Sequence, residues 1–256
     1  EGRRLAETTE AAYQQLQTRL NEIDHSRYRG AVRLIASPSF TLQWLVPKLG
    51  DFYRRYPEID LRIDARDRVE ELAPESYDLA LDYLLHDDSR QATELFMDEQ
   101  LVPVCAPILL PDNQPFPDPK QILEQPLLHD SNPWPGGESD QEWRHWLKHF
   151  GLEVRGDSPQ VFFNRSDLAV EAAQQGQGIA LGRWSLINQR LQQGLLAVAY
   201  PHPQRSPAGY YLFYSPHSLE RPGVHALYQW LHDQTRSERP PAIPADPTPD
   251  NGPDQA

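Results

Sequence analysis

Ser37, Ser39 and Thr41 set three hydroxyls into a short span, just after the apolar run at 31–36 and just before a helical stretch. Hydroxyls at such a switch either cap the free amides of the following helix or hold a ligand carboxylate there, and capping is the commoner use. Phe40 sits among them and counts as a candidate for the same site. A second switch of this kind comes at Asn164, Ser166 and Asp167, ahead of the amphipathic segment that leads to Gly176 and Gly178. Two polar strand ends facing one cleft are what a small-ligand site at the carboxyl edge of parallel strands requires.

Catalytic patterns are missing from the chain. It has no Gly-x-x-x-x-Gly-Lys-Ser/Thr phosphate loop and no Gly-x-Ser-x-Gly elbow. Gly176, Gly178 and Gly182 follow a helix instead of opening one, which reads as a C-cap and a tight return to a strand. His145 and His149 are spaced to share a metal ion, but no third ligand accompanies them, and Trp143 and Trp146 explain the helix as a packing element. His86-Asp87-Asp88 reads as a solvated turn and Cys105 as a small buried hydrophobe. The expectation is a protein with no metal, no cofactor and no enzymatic activity.

Those residues need elements to hold them. Strands are predicted at 31–36, 59–63, 79–85, 101–105, within 160–182, and at 210–214. Helices are predicted through Tyr56, at 141–150, at 185–193 and at 223–236. Strands separated by helices argue for an α/β fold with parallel sheets. A proline-punctuated crossing at 107–119 and a return near 208 divide the chain into two lobes. Ala6, Thr9, Tyr13, Leu16, Leu20 and Ile23 form a narrow heptad seam on a helix at 3–24, which wants a partner helix. The tail 238–256 is proline-rich and is expected to be disordered.

Composition excludes further classes. The chain has 256 residues and a net charge of −13, which disfavours a broad nucleic-acid grip by these residues. It has no apolar run long enough to span a membrane and no apolar leader at the N-terminus. Its single cysteine fits a reducing compartment, so the expected location is cytoplasmic.

The ordered series Gly30-Ala31-Val32-Arg33-Leu34, Ser37–Thr41, Trp44–Leu49, Asp51–Leu61, Tyr77–Leu81, Leu101–Val104, Phe163–Gly182 and Leu191–Leu196 resembles the effector-binding domain of LysR-type transcriptional regulators. Within that family it is most similar to the branch of the glycine-cleavage activator, the β-lactamase regulator and the D-serine deaminase activator. The resemblance implies two Rossmann-like subdomains of the type II periplasmic-binding-protein architecture, preceded by a long linker helix. Its boundaries would be a linker and dimerisation helix at 1–28, subdomain I at 29–106 and 209–237, and subdomain II at 107–208. It implies a small effector between the subdomains and a homodimer or tetramer built through the linker helix and the regulatory domains. Promoter DNA would be bound only by the full-length protein.

By position, Ser39 and Thr41 match the family's pocket hydroxyls on the first strand-to-helix loop, Ser166 and its neighbour Asn164 the facing edge of subdomain II, and Tyr210 an aromatic that closes the pocket. His129 and Asp130 would lie at the first strand end of subdomain II. The sequence departs from the family in two ways. The family's winged helix-turn-helix is not among these residues, and Asp82-Tyr83-Leu84 stands where an Arg and then a Gly are usual. A carboxylate at Asp82 in place of a cation would favour a ligand bearing an ammonium group, such as an amino acid. Two other classes share the architecture: a transport-type solute-binding protein and an enzyme acting in the cleft. The missing leader weighs against the first and the missing acid/base pair against the second.

Overall fold

The computed structural model describes residues 31–69, 72–86, 93–154 and 159–236. The helix expected at 3–24, the tail from 238, and Asp87 with Asp88 lie outside those residues.

Strands β1 (Val32–Ala36), β2 (Leu61–Ala65) and β3 (Leu79–Leu85) pair in parallel in the order β2-β1-β3. Strands β5 (Leu127–Asp130), β6 (Gln160–Phe163) and β7 (Ile179–Arg183) repeat the arrangement in the order β7-β5-β6. Two long antiparallel strands, β4 (Glu94–Cys105) and β9 (Gln204–Phe213), lie between the halves and join them. β9 pairs with β3, and β4 pairs with both β9 and β7. The short β8 (Ala197–Val198) pairs with the end of β4. The nine strands among the described residues therefore belong to one continuous sheet with two parallel ends.

Parallel neighbours need helical crossovers. After β1 the chain forms a helical run: α1 (Pro38–Phe40), a π turn (Thr41–Leu45), a 3-10 turn (Val46–Lys48) and α2 (Leu49–Arg55). Pro47 is tolerated because it sits in the first positions of its turn, where its missing N–H is not needed. The second half uses α3 (Gln141–Lys148), α4 (Ser166–Gln174) and α5 (Trp184–Gln192), and α6 (Pro222–Thr235) folds back onto the first half.

Each half has its own aromatic core. In the first, Phe40 stacks on Trp44 at 4.7 Å between centroids, and Trp230 meets Phe52 at 5.2 Å while donating to Asp51 at 3.0 Å. In the second, buried Trp143 donates to the Leu128 carbonyl at 3.0 Å and Trp146 to that of His202 at 3.2 Å. The buried indoles thus keep their N–H groups paired.

The strand boundaries differ from expectation at three places. β2 starts at Leu61 and not at Ile59. β4 starts at Glu94, well ahead of Leu101, held there by pairing with β9, while Asp98 and Glu99 interrupt the apolar pattern by which a strand is recognised in sequence. β9 starts at Gln204, ahead of Tyr210, and runs through Pro207. Opposite that proline the pairing with β4 slips between Asp98 and Gln100, where a ladder bond could not form. The expected crossing at 107–119 is a series of short 3-10 turns.

Candidate functional site

The carboxyl ends of the parallel strands of both halves meet at one cavity of about 40 Å³. Ser37 and Ser39 reach it after β1, Asp67 and Arg68 after β2, and Asp82 and Tyr83 from within β3. Across from them stand Asp130 and the loop Asn132–Pro135 after β5, Asn164 and Arg165 after β6, and Arg183 at the end of β7. Arg68 holds a left-handed φ of 59°, an uncommon conformation for a residue with a Cβ. The volume admits a few water-sized groups and is far below the roughly 300 Å³ at which small-ligand pockets begin. A ligand of several heavy atoms does not fit within that volume.

Two hydrogen bonds between Ser39 and Asp167 close the cleft directly, the longer one running from the Asp167 N–H to the Ser39 hydroxyl at 3.4 Å. The Ser39 hydroxyl donates to Asp167 Oδ1 at 2.8 Å, joining the two strand-to-helix switches. Asp167 also accepts from Arg165, Nε to Oδ1 at 2.9 Å and Nη2 to Oδ2 at 2.5 Å. Asp82 accepts from the backbone N–H groups of Val69 at 2.8 Å and Tyr83 at 2.9 Å.

Arg183 is the central cation and is almost fully buried. Its Nη2 donates to Asp130 at 3.1 Å, to Glu142 at 3.1 Å and to the Pro133 carbonyl at 3.1 Å, and its guanidinium lies 3.9 Å from the Tyr83 ring centroid. Burial opposes its charge, but Glu142, Tyr83, Tyr210 and Asp130 outweigh that and hold its pKa well above the ordinary value. Burial lifts Glu142 to about 7 although Arg183 pulls it down, and lifts Asp130 and Asp67 in the same direction. Glu99 on β4, bonded to the Ser185 hydroxyl and amide, is also raised by burial to about 7.

Of the residues singled out from sequence, Ser37, Ser39, Asp82, Asp130 and Asn164 line the cavity. Phe40, Thr41, His129, Ser166 and Tyr210 do not form its wall. Phe40 packs in the core, 5.0 Å from the Tyr210 ring. His129 stacks on Phe162 at 4.4 Å, and burial lowers its pKa to about 4. Thr41 and Ser166 are buried one or two residues from the Ser39–Asp167 bond, and neither hydroxyl has a hydrogen-bond partner among the described residues. The fully buried Tyr210 hydroxyl faces the Arg183 guanidinium, which offsets part of the rise that burial imposes on its pKa.

Sequence reasoning missed Arg183, Arg165, the Asp67–Arg68 pair and Trp134. A charged residue ending the apolar strand Ile179–Gly182 was the available signal for Arg183. Among the described residues no three metal-ligating side chains converge, and no helix is long and apolar enough to cross a membrane.

Two parallel-stranded halves joined by two crossing strands, with a polar cleft at their carboxyl ends, define a two-lobed small-ligand-binding domain. Comparison with known proteins narrows that class. The model of the LysR substrate binding domain matches residues 25–236. The chain is 31% identical over 238 residues to the HTH-type transcriptional regulator DsdC of Escherichia coli, covering 93% of this chain and 76% of that one. It is 28% identical over 227 residues to the glycine cleavage system transcriptional activator of the same organism, covering 89% and 72%. The effector domain of AmpR from Pseudomonas aeruginosa superposes with a TM-score of 0.65 at 23% identity, over 82% of this chain and 97% of that one. The AmpR effector-binding domain from Citrobacter freundii gives 0.64 at 24%, over 81% and 98%. The chain belongs to the LysR family of transcriptional regulators, as its effector-binding domain.

Proposed function

We propose that the effector binds in the cleft between the two halves and that it is a small zwitterion of the amino-acid type. The observation that carries this reading is a pair of buried hydroxyls, on Thr41 in the first half and Ser166 in the second. Each lies within two residues of the Ser39–Asp167 contact across the cleft, and neither has a partner among the described residues. A buried polar group left unpaired costs about 1–3 kcal/mol, so the two favour a ligand that satisfies them just behind the cavity wall. Their donors suit a carboxylate.

The charges around the cavity support an ammonium group at the other end of the ligand. Asp67, Asp82 and Asp130 line the cavity, and Glu142 and Asp167 touch the arginines that do, against the guanidiniums of Arg68, Arg165 and Arg183. In this reading the halves correspond to subdomain I at 29–106 and 209–237 and subdomain II at 107–208. The chain senses a ligand and does not turn it over, works in the cytoplasm, and assembles as a homodimer or tetramer. Exposed Leu42, Val46 and Tyr53 on one half, and Val161, Phe162 and Leu168 on the other, support contacts between regulatory domains in addition to the linker helix. Promoter DNA belongs to the full-length protein.

Calorimetry with a panel of amino acids against the wild type, Thr41→Val and Ser166→Ala tests the site. Each variant is expected to bind roughly ten- to a hundred-fold more weakly, the value of one hydrogen bond to a charged group. Equal affinities in all three proteins would place the effector elsewhere.

A further inference from the structure

Asp167 presents a carboxylate where a ligand's own carboxylate would be expected. Its side chain is 4% exposed, and it takes the Ser39 hydroxyl from the opposite half together with the two-pronged guanidinium of Arg165. A hydroxyl and a forked guanidinium converging on two oxygens form a carboxylate-binding arrangement. Arg183 is engaged in the same way by Asp130 and Glu142. The field of Asp167 also reaches Asp67 and Asp130 on the cavity wall. An incoming anion therefore meets donors already taken up and several like charges at short range.

We infer that Asp167 is a specificity-determining residue: its carboxylate fills a carboxylate subsite made by Ser39 and Arg165, so the cleft refuses ligands that carry only an anionic group and accepts those that carry an ammonium group. The inference rests on the cleft being the effector site, and it assigns the charge preference to one named side chain. It also separates two tasks for Asp167. The hydrogen bond from Ser39 ties the halves together, whereas the negative charge selects the ligand. Asp167→Asn keeps an acceptor for Ser39 and removes the charge, while Asp167→Ala removes both and opens a carboxylate-sized space beside Arg165.

Glycine, acetate and ethylammonium serve as probes in calorimetric titrations of the wild type and both variants, with circular dichroism and urea midpoints confirming that all three are folded. The wild type is expected to bind glycine and ethylammonium at least about tenfold more tightly than acetate. Both variants should gain acetate affinity by about tenfold or more and lose ethylammonium affinity. An acetate-to-glycine ratio unchanged in two folded variants overturns the inference, while glycine binding to the wild type leaves the cleft reading standing. Acetate gained by the variants with no glycine bound by the wild type keeps the role of Asp167 and removes the zwitterion. No binding of any probe to any of the three proteins overturns both.

Discussion

Raising the pH from about 5.5 to about 8 should weaken the fold, and replacing Glu99 with Gln should lessen that loss by about 2 kcal/mol. Glu99 and Glu142 are each lifted by burial from 4.5 to about 7. A carboxyl whose folded pKa lies above its unfolded value stabilises fully when both states are protonated, and that stability is lost as the pH rises through the folded value. With an unfolded pKa near 4.5, each group is worth about 2 kcal/mol more at pH 5.5 than at pH 8. Glu142 keeps Arg183 as a counter-charge, so altering it would leave a buried cation uncompensated. Glu99 is the cleaner position, because its main partners are the Ser185 hydroxyl and the amides of Ser185 and Gln100. Urea unfolding followed by tryptophan fluorescence at the two pH values gives the slope for the wild type and for Glu99→Gln. The net charge of −13 adds a background loss at high pH that both proteins share. Identical slopes would refute the reasoning, since Glu99 would then ionise in the folded chain as it does in water.

Two further outcomes are expected. Ser39→Ala removes both hydrogen bonds to Asp167, the one to its charged acceptor worth about 1.5–3 kcal/mol, and should enlarge the radius of gyration in solution scattering; an unchanged profile would mean that other contacts alone hold the cleft shut. Leu16→Glu combined with Leu20→Glu should reduce the mass seen in light scattering, because the heptad seam read from the sequence would be broken; an unchanged mass would assign the assembly to the regulatory domains.

The sequence carried the site's first half better than its second. Ser37 and Ser39 follow a strand, and Asp82 lies within one, whose apolar runs are unmistakable, and the apolar run fixes Leu79–Leu85 to the residue because that strand is buried on both faces. Asn164 and Asp167 were visible because polar residues interrupt a strand and a helix at a defined point. Arg183 was not, since a cation at a strand end looks the same whether it points to water or to two carboxylates brought from distant segments. The pairing of Ser39 with Asp167 spans the whole cleft, and no local pattern encodes it. The long crossing strands extend beyond the expected ones. Asp98, Glu99 and Pro207 argue locally against a strand, and only the pairing of β4 with β9 overrides them.

That pairing determines what kind of joint the molecule has. The two halves are not tethered by slack loops: they are the two ends of one hydrogen-bonded ladder, and separating them means twisting the ladder itself. A ladder of paired strands behaves as a torsion spring, stiff along its length and compliant where its rungs are out of step. Here the rungs are out of step between Leu95 and Met97 and again between Asp98 and Gln100. Rotation then concentrates at those two points, and Glu99 sits inside the second of them. Because the same sheet runs on to β2 at one edge and β6 at the other, a twist at the middle swings both outer edges together. A change of shape at the cleft is thus felt at the far rims of the domain.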